Sequence, residues 1–261
     1  MAVFLKILLT CEIGLATGML SGAFGLGGGF LSTPALRLVL QTSAGIALGT
    51  TLPVIFPTAL VGGLNYLKAG LVDRQTVRVA GPMGMAGSIC GAYATKYIKT
   101  DWLMVATGAL IALLAARAVT QVLRSRGKPG EPAGSPASHQ VAKLLLIGLL
   151  AGLLAGLLGV GGGVILIPGF MTLLNMDVKR AFGTSLFCIT LMAVPGSLVH
   201  YFLGHVDVVL FLLLSAGVIP GSYLGSRFTI KAQERLVMLL FSLFLLAVGI
   251  IFIFMELRIL L

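Results

Sequence analysis

Apolar residues run through the chain in long blocks, at about 3–23, 29–41, 45–67, 75–97 and 101–123, then again at about 142–158, 163–175, 179–202, 206–230 and 234–260. Polar and charged residues collect where the blocks end. A helix rises 1.5 Å per residue, so about 20 apolar residues cross the roughly 30 Å hydrocarbon layer of a bilayer. Most of the blocks have that length. None shows the roughly ten-residue alternation of a transmembrane strand. The second block of each series, at about 13 residues, is too short to cross alone, and the block before the second of them, 142–158, is also short. These pairs predict a helical hairpin or a broken helix with its break at the tip.

The two series are copies of each other. At an offset of 134 residues, Gly22–Pro34 (GAFGLGGGFLSTP) overlays Gly156–Pro168 (GLLGVGGGVILIP) without a gap. The register continues with Gly49-Thr50 on Gly183-Thr184, Asp73 on Asp207, Gly87-Ser88 on Gly221-Ser222 and Thr95 on Thr229. An ungapped self-match of this length marks two homologous halves. Between them, 124–141 is rich in Pro, Gly, Ser and charge. It has nothing to bury and reads as a flexible linker. The expected organisation is a first transmembrane repeat over 1–123, a cytoplasmic linker over 124–141 and a second repeat over 142–261.

Basic residues orient membrane helices, and here they choose between two topologies. If every block crosses and the linker is cytoplasmic, thirteen of the 18 Lys and Arg lie on the linker side and five on the other. If the short blocks re-enter, the split is ten against eight and the bias nearly vanishes. Five crossings is an odd number, so the halves are inverted relative to each other. The expected fold is therefore an all-α polytopic membrane helix bundle of two inverted five-segment repeats, with short broken helices at the glycine motifs.

Composition agrees. The chain is 58% hydrophobic and 10% charged, with a mean hydropathy of +1.08. A soluble domain has about 25% charged residues. The net charge of +10 comes from residues at block ends, so it does not indicate nucleic-acid binding. Cys11, Cys90 and Cys188 lie within apolar blocks without CxxC spacing, which points to packing rather than a metal or a disulfide. The apolar N-terminal block leads straight into the first glycine motif and reads as the first helix of the repeat, not a leader.

Irregular backbone at membrane depth is tolerated only against protein or a wet cavity. A helix that starts just after such a break points its first N–H groups and its positive dipole end back into the turn. That makes an anion site without a buried cation. The candidate substrate-binding residues are accordingly Gly25, Gly27, Gly28, Gly29, Gly159, Gly161, Gly162 and Gly163. Pro34 and Pro168 bend or end the short helices. Thr50, Thr51, Thr184 and Ser185, in the Ala-x-Gly-Thr-[Thr/Ser] stretches, offer hydroxyls that either donate to an oxyanion or bond back to their own helix. Close helix packing is the plainer use of glycine, as at Gly217, Gly221 and Gly225. Neither motif carries the GK[ST] of a nucleotide loop. Glu12, inside an apolar block, is a candidate coupling residue, or it sits near an interface. Asp73 and Asp207 read as N-caps. His200 and His205 flank a helix end and read as interfacial.

At the paired GxGGGxxxxP motifs and the Ala-x-Gly-Thr-[Thr/Ser] stretches, the sequence resembles the TauE/SafE family of sulfite exporters and permeases. The likeness covers the chain outside the linker. It implies a secondary transporter in the cell membrane that moves small sulfur-containing anions, such as sulfite or organosulfonates, with a proton or ion gradient as the energy source. The implied partners are that anion and the lipid bilayer, with no nucleic acid, cofactor or metal. An anion channel is the near alternative. An intramembrane enzyme lacks an HExxH, a Ser/His/Asp set or an acid pair, and a structural membrane protein has no evident use for duplicated breaks.

Overall fold

The computed structural model describes residues 2–98, 103, 106, 107, 109, 138–241, 243, 244 and 247. The block expected at 101–123 lies almost wholly outside the described residues, as do most of the linker and most of the last block beyond 241. Among the described residues all regular structure is helical. The helices are α1 (Ala2–Phe24), α2 (Gly29–Leu38), α3 (Ala44–Lys68), α4 (Arg74–Ala94), α5 (Ser138–Leu158), α6 (Gly163–Leu173), α7 (Val178–Phe202) and α8 (Val208–Lys231). A further helical stretch begins at Glu234.

Five of these, α1, α3, α5, α7 and α8, are long and apolar enough to cross a bilayer. This is a membrane protein. At 10 and 11 residues, α2 and α6 are about 15 Å long and cannot cross alone. α4 has the length, 21 residues, but is diluted by Gly, Ser, Thr and Arg. One expectation needs correcting. The 142–158 block is not short: α5 begins at Ser138 and runs for 21 residues, taking the end of the expected linker into helix. Polar residues at a helix start leave no mark in an apolar pattern.

Glycine and other small residues set how the helices pack. Gly14, Gly18 and Gly22 of α1 lie in turn against Leu214, Val218 and Ser222 of α8. Gly148, Gly152 and Gly156 of α5 lie in turn against Ala80, Gly84 and Ser88 of α4. Every pair in one set is 134 residues from a pair in the other. Both sets put backbone on backbone, which is how dispersion rather than a hydrophobic force holds helices together in lipid. Rising numbers meet rising numbers, so α1 runs parallel to α8 and α5 parallel to α4.

The central pair runs the other way. Gly62 of α3 lies against Leu186 of α7, and Gly196 of α7 lies against Leu52 of α3, so α3 and α7 are antiparallel. α2 doubles back along α3, with Gly28 beside Thr58 and Thr33 Oγ1 3.0 Å from Thr51 Oγ1. α2 thus returns from mid-bundle toward the end where α3 starts. Asp73 and Asp207 cap α4 and α8. Asp73 Oδ1 accepts from Gln75 N at 3.1 Å, and Asp207 Oδ1 accepts from Val209 N and Leu210 N at 2.9 and 3.0 Å.

Candidate functional site

Each half breaks its apolar run with the same backbone device. Gly25, Gly27 and Gly28 have φ of 71, 87 and 92°, and Gly159, Gly161 and Gly162 have φ of 63, 83 and 45°. Side chains with a Cβ avoid this region, so three such residues within four positions require glycine. The chain reverses and a new helix starts. Leu31 N and Ser32 N donate to Gly28 O at 3.2 and 3.1 Å, and Ile165 N and Leu166 N donate to Gly162 O at 3.0 Å each.

The two turns touch. A Cβ placed on Gly29 would fall on the Gly159 carbonyl oxygen, and one on Gly163 would stand 2.7 Å from the Gly25 carbonyl oxygen. Ile55 of α3 and Ile189 of α7 press on both: Ile189 lies against Gly27 and Gly163, and Ile55 against Gly29 and Gly161. Gly28 and Gly162 face their own halves instead, the first toward Thr58 and Ser21, the second toward the Ala151 carbonyl. The turns lie beside the middle of α3 and α7, about half a helix length from either end.

The hydroxyl residues tie each turn to the opposite half. Ser185 donates to Gly25 O at 2.7 Å, and Thr51 donates to Gly159 O at 3.2 Å. Both also reach back to their own helix, Ser185 to Phe182 O at 2.9 Å and Thr51 to Ala47 O and Leu48 O at 3.0 and 2.9 Å. Thr50 and Thr184 point elsewhere. Thr50 Oγ1 accepts from Asp207 N and Thr184 Oγ1 accepts from Asp73 N, each at 2.9 Å, so each holds the helix start of the other half. The four hydroxyls do not converge on one open cavity. The free space near the second turn is a void of about 10 Å³ with an apolar lining that includes Leu52, Ile55, Ala155 and Met192. The Thr51 and Ser185 hydroxyls are spent on the turns themselves.

Glu12 is exposed on α1, ten residues before Gly22, and takes no part in this arrangement. His200, in the last turn of α7, is fully buried within the protein. Its Nε2–H donates to Gly156 O at 2.8 Å, while its Nδ1 faces Nδ1 of His205 at 3.3 Å. Burial holds His205, in the connection after α7, below the usual histidine range. Tyr66 does the same work in the other half, donating to Ala23 O at 3.0 Å. Tyr66 and His200 stand 134 residues apart, and each fixes the end of the helix that leads into the turn of its own half. Their matched positions inside apolar blocks were the available signal for them.

A family model described as sulfite exporter TauE/SafE matches residues 11–252. The chain belongs to the sulfite exporter TauE/SafE family. Three relatives fit along most of their length. A Bacillus subtilis (strain 168) protein named "Probable membrane transporter protein YunE" is 28% identical, over 91% of this chain and 93% of its own. A second from the same organism, "Probable membrane transporter protein YdhB", is 27% identical over 81% of this chain and 86% of its own. A Methanocaldococcus jannaschii protein, "Probable membrane transporter protein MJ0441", is 23% identical over 85% and 86%. No solved structure matches. Membership of the TauE/SafE family and these relatives make the chain a membrane transporter.

Proposed function

We propose that this TauE/SafE protein is a secondary transporter of small sulfur-containing anions, sulfite or an organosulfonate, and that the substrate passes between its two glycine turns. The observation that carries this reading is the meeting of the two turns, with a short helix starting from each at mid-bundle. Broken helices at the midplane are where many secondary transporters bind their substrates. The opening N–H groups of α2 and α6 supply donors and positive dipole ends without a fixed cation that would hold an anion too tightly to release. The family description supplies the sulfur chemistry. Because the turns are packed against each other, the structure corresponds to a closed state, and transport requires α1–α2 and α5–α6 to part around them.

The halves act as an inverted 5 + 5 repeat in this reading. Its support is directional: the homologous helices α3 and α7 are antiparallel, and α1 and α5 each run parallel to the helix equivalent to the other's partner. An inverted pair can exchange conformations to open first one face and then the other. The linker is then cytoplasmic and both ends of the chain lie outside. Flux of labelled sulfite, methanesulfonate and sulfate into proteoliposomes, with and without a pH gradient, tests the assignment. Saturable movement of a sulfur oxyanion driven by the gradient is expected. Flux no greater than in empty vesicles for all three overturns it.

A further inference from the structure

We propose that the two turns are chemically unequal and that the oxyanion is held at the first, by the Ser21 hydroxyl together with the N–H groups that open α2. This rests on the anion-transport reading above and adds the binding residue. Ser21 is 2% exposed and its Oγ has no hydrogen-bond partner. It points at the turn: a Cβ built on Gly28, the residue from which α2 starts, would lie 3.6 Å from Ser21 Oγ.

The other side chain at that point is already engaged. Thr58 Oγ1, 3.5 Å from the same point, donates to Val54 O at 2.7 Å. A buried hydroxyl left unpaired costs free energy comparable to a lost hydrogen bond, and folded proteins keep few of them. One that faces a helix N-terminus is complete when an oxygen anion sits between them, accepting from the hydroxyl and from the first N–H groups of the helix.

At the matching positions the second turn carries no such group. The residues 134 positions after Ser21 and Thr58 are Ala155 and Met192, and both line the apolar void. Two homologous turns have therefore diverged into a donor-bearing one and an apolar one. The ligand class that fits is a small oxyanion with a single charged head: sulfite, or a short sulfonate.

The test uses the full chain purified in detergent, titrated by calorimetry with sulfite, methanesulfonate, sulfate and acetate, alongside thermal unfolding. The variants are Ser21→Ala, Ser21→Cys and, as a control for loss of a buried unpaired hydroxyl elsewhere, Ser215→Ala of α8. Loss of a hydrogen bond to a charged group predicts affinity about ten- to a hundredfold weaker in both Ser21 variants. Their unfolding midpoints should be no lower than the parent's, because Ser21 has no protein partner to lose. Ser215→Ala should bind as the parent does. If Ser21→Ala does not purify folded, the near-isosteric Ser21→Cys carries the comparison. Parental affinity in the Ser21 variants, or equal weakening in Ser215→Ala, overturns the site while leaving the transport reading standing. A parent that binds none of the four anions overturns both.

Discussion

Ser185 of the second half donates its hydroxyl to the Gly25 carbonyl of the first at 2.7 Å. The reciprocal bond runs from Thr51 to Gly159. Each glycine turn is thus held by the long central helix of the other half, and the two bonds act as a pair of clasps. Thr51→Val keeps the shape of the side chain but removes the Thr51 clasp, leaving the Gly159 carbonyl only the longer bond from Thr33 Oγ1 at 3.4 Å. A net hydrogen bond is worth about 0.5–1.5 kcal/mol. Thr51→Val and Ser185→Ala should each lower the unfolding midpoint in detergent and slow transport. Unchanged midpoints in both would mean the clasps carry no energy.

Two glycines separate backbone strain from close approach. Gly70 has φ of 73° but nothing within 4 Å of an added Cβ, whereas at Gly29 the Cβ would fall on Gly159. Gly70→Ala should cost about 1–2 kcal/mol of stability from the left-handed backbone, with transport retained. Gly29→Ala should abolish transport, since the turns could no longer meet. Flux assays on well-inserted protein distinguish the two; parental flux in Gly29→Ala would remove contact between the turns from the account.

Much of this could be read from the chain alone. The offset of 134 placed the breaks, the short helices and the aspartate caps, because glycine, helix length and capping each leave a local mark. The partners of Thr50, Thr51, Thr184 and Ser185 left none. Those depend on α3 and α7 packing antiparallel, which brings together residues more than 100 positions apart. The glycine motif was visible, but its nearest polar neighbour, Ser21, was not. It looks like any small residue on a helix until the fold aims it at the turn. The start of α5 was missed for the opposite reason, since Ser138, His139 and Gln140 resemble linker.

Glu12 is exposed on α1 and remote from the turns. Glu12→Gln should therefore leave the pH dependence of transport as in the parent, measured as flux across a series of external pH values. A shifted or flattened profile would make this carboxylate part of the proton path.

The proposed topology rests on the charge bias and on the helix directions. Cysteine labelling in intact cells should place position 130, in the linker, and position 233, after α8, on the cytoplasmic side. Positions 42 and 98 should label from outside. Label reaching 42 and 130 from the same side would exclude the inverted arrangement.

The central claim is that anion transport depends on the contact between the two turns. The direct measurement is gradient-driven uptake of labelled sulfite by proteoliposomes holding the parent, Gly29→Ala or Gly163→Ala, with competition by methanesulfonate. The account predicts saturable uptake by the parent, inhibition by methanesulfonate, and loss of uptake in both variants, since each places a methyl group where the opposite turn's carbonyl lies. Uptake in the variants equal to that of the parent would contradict it.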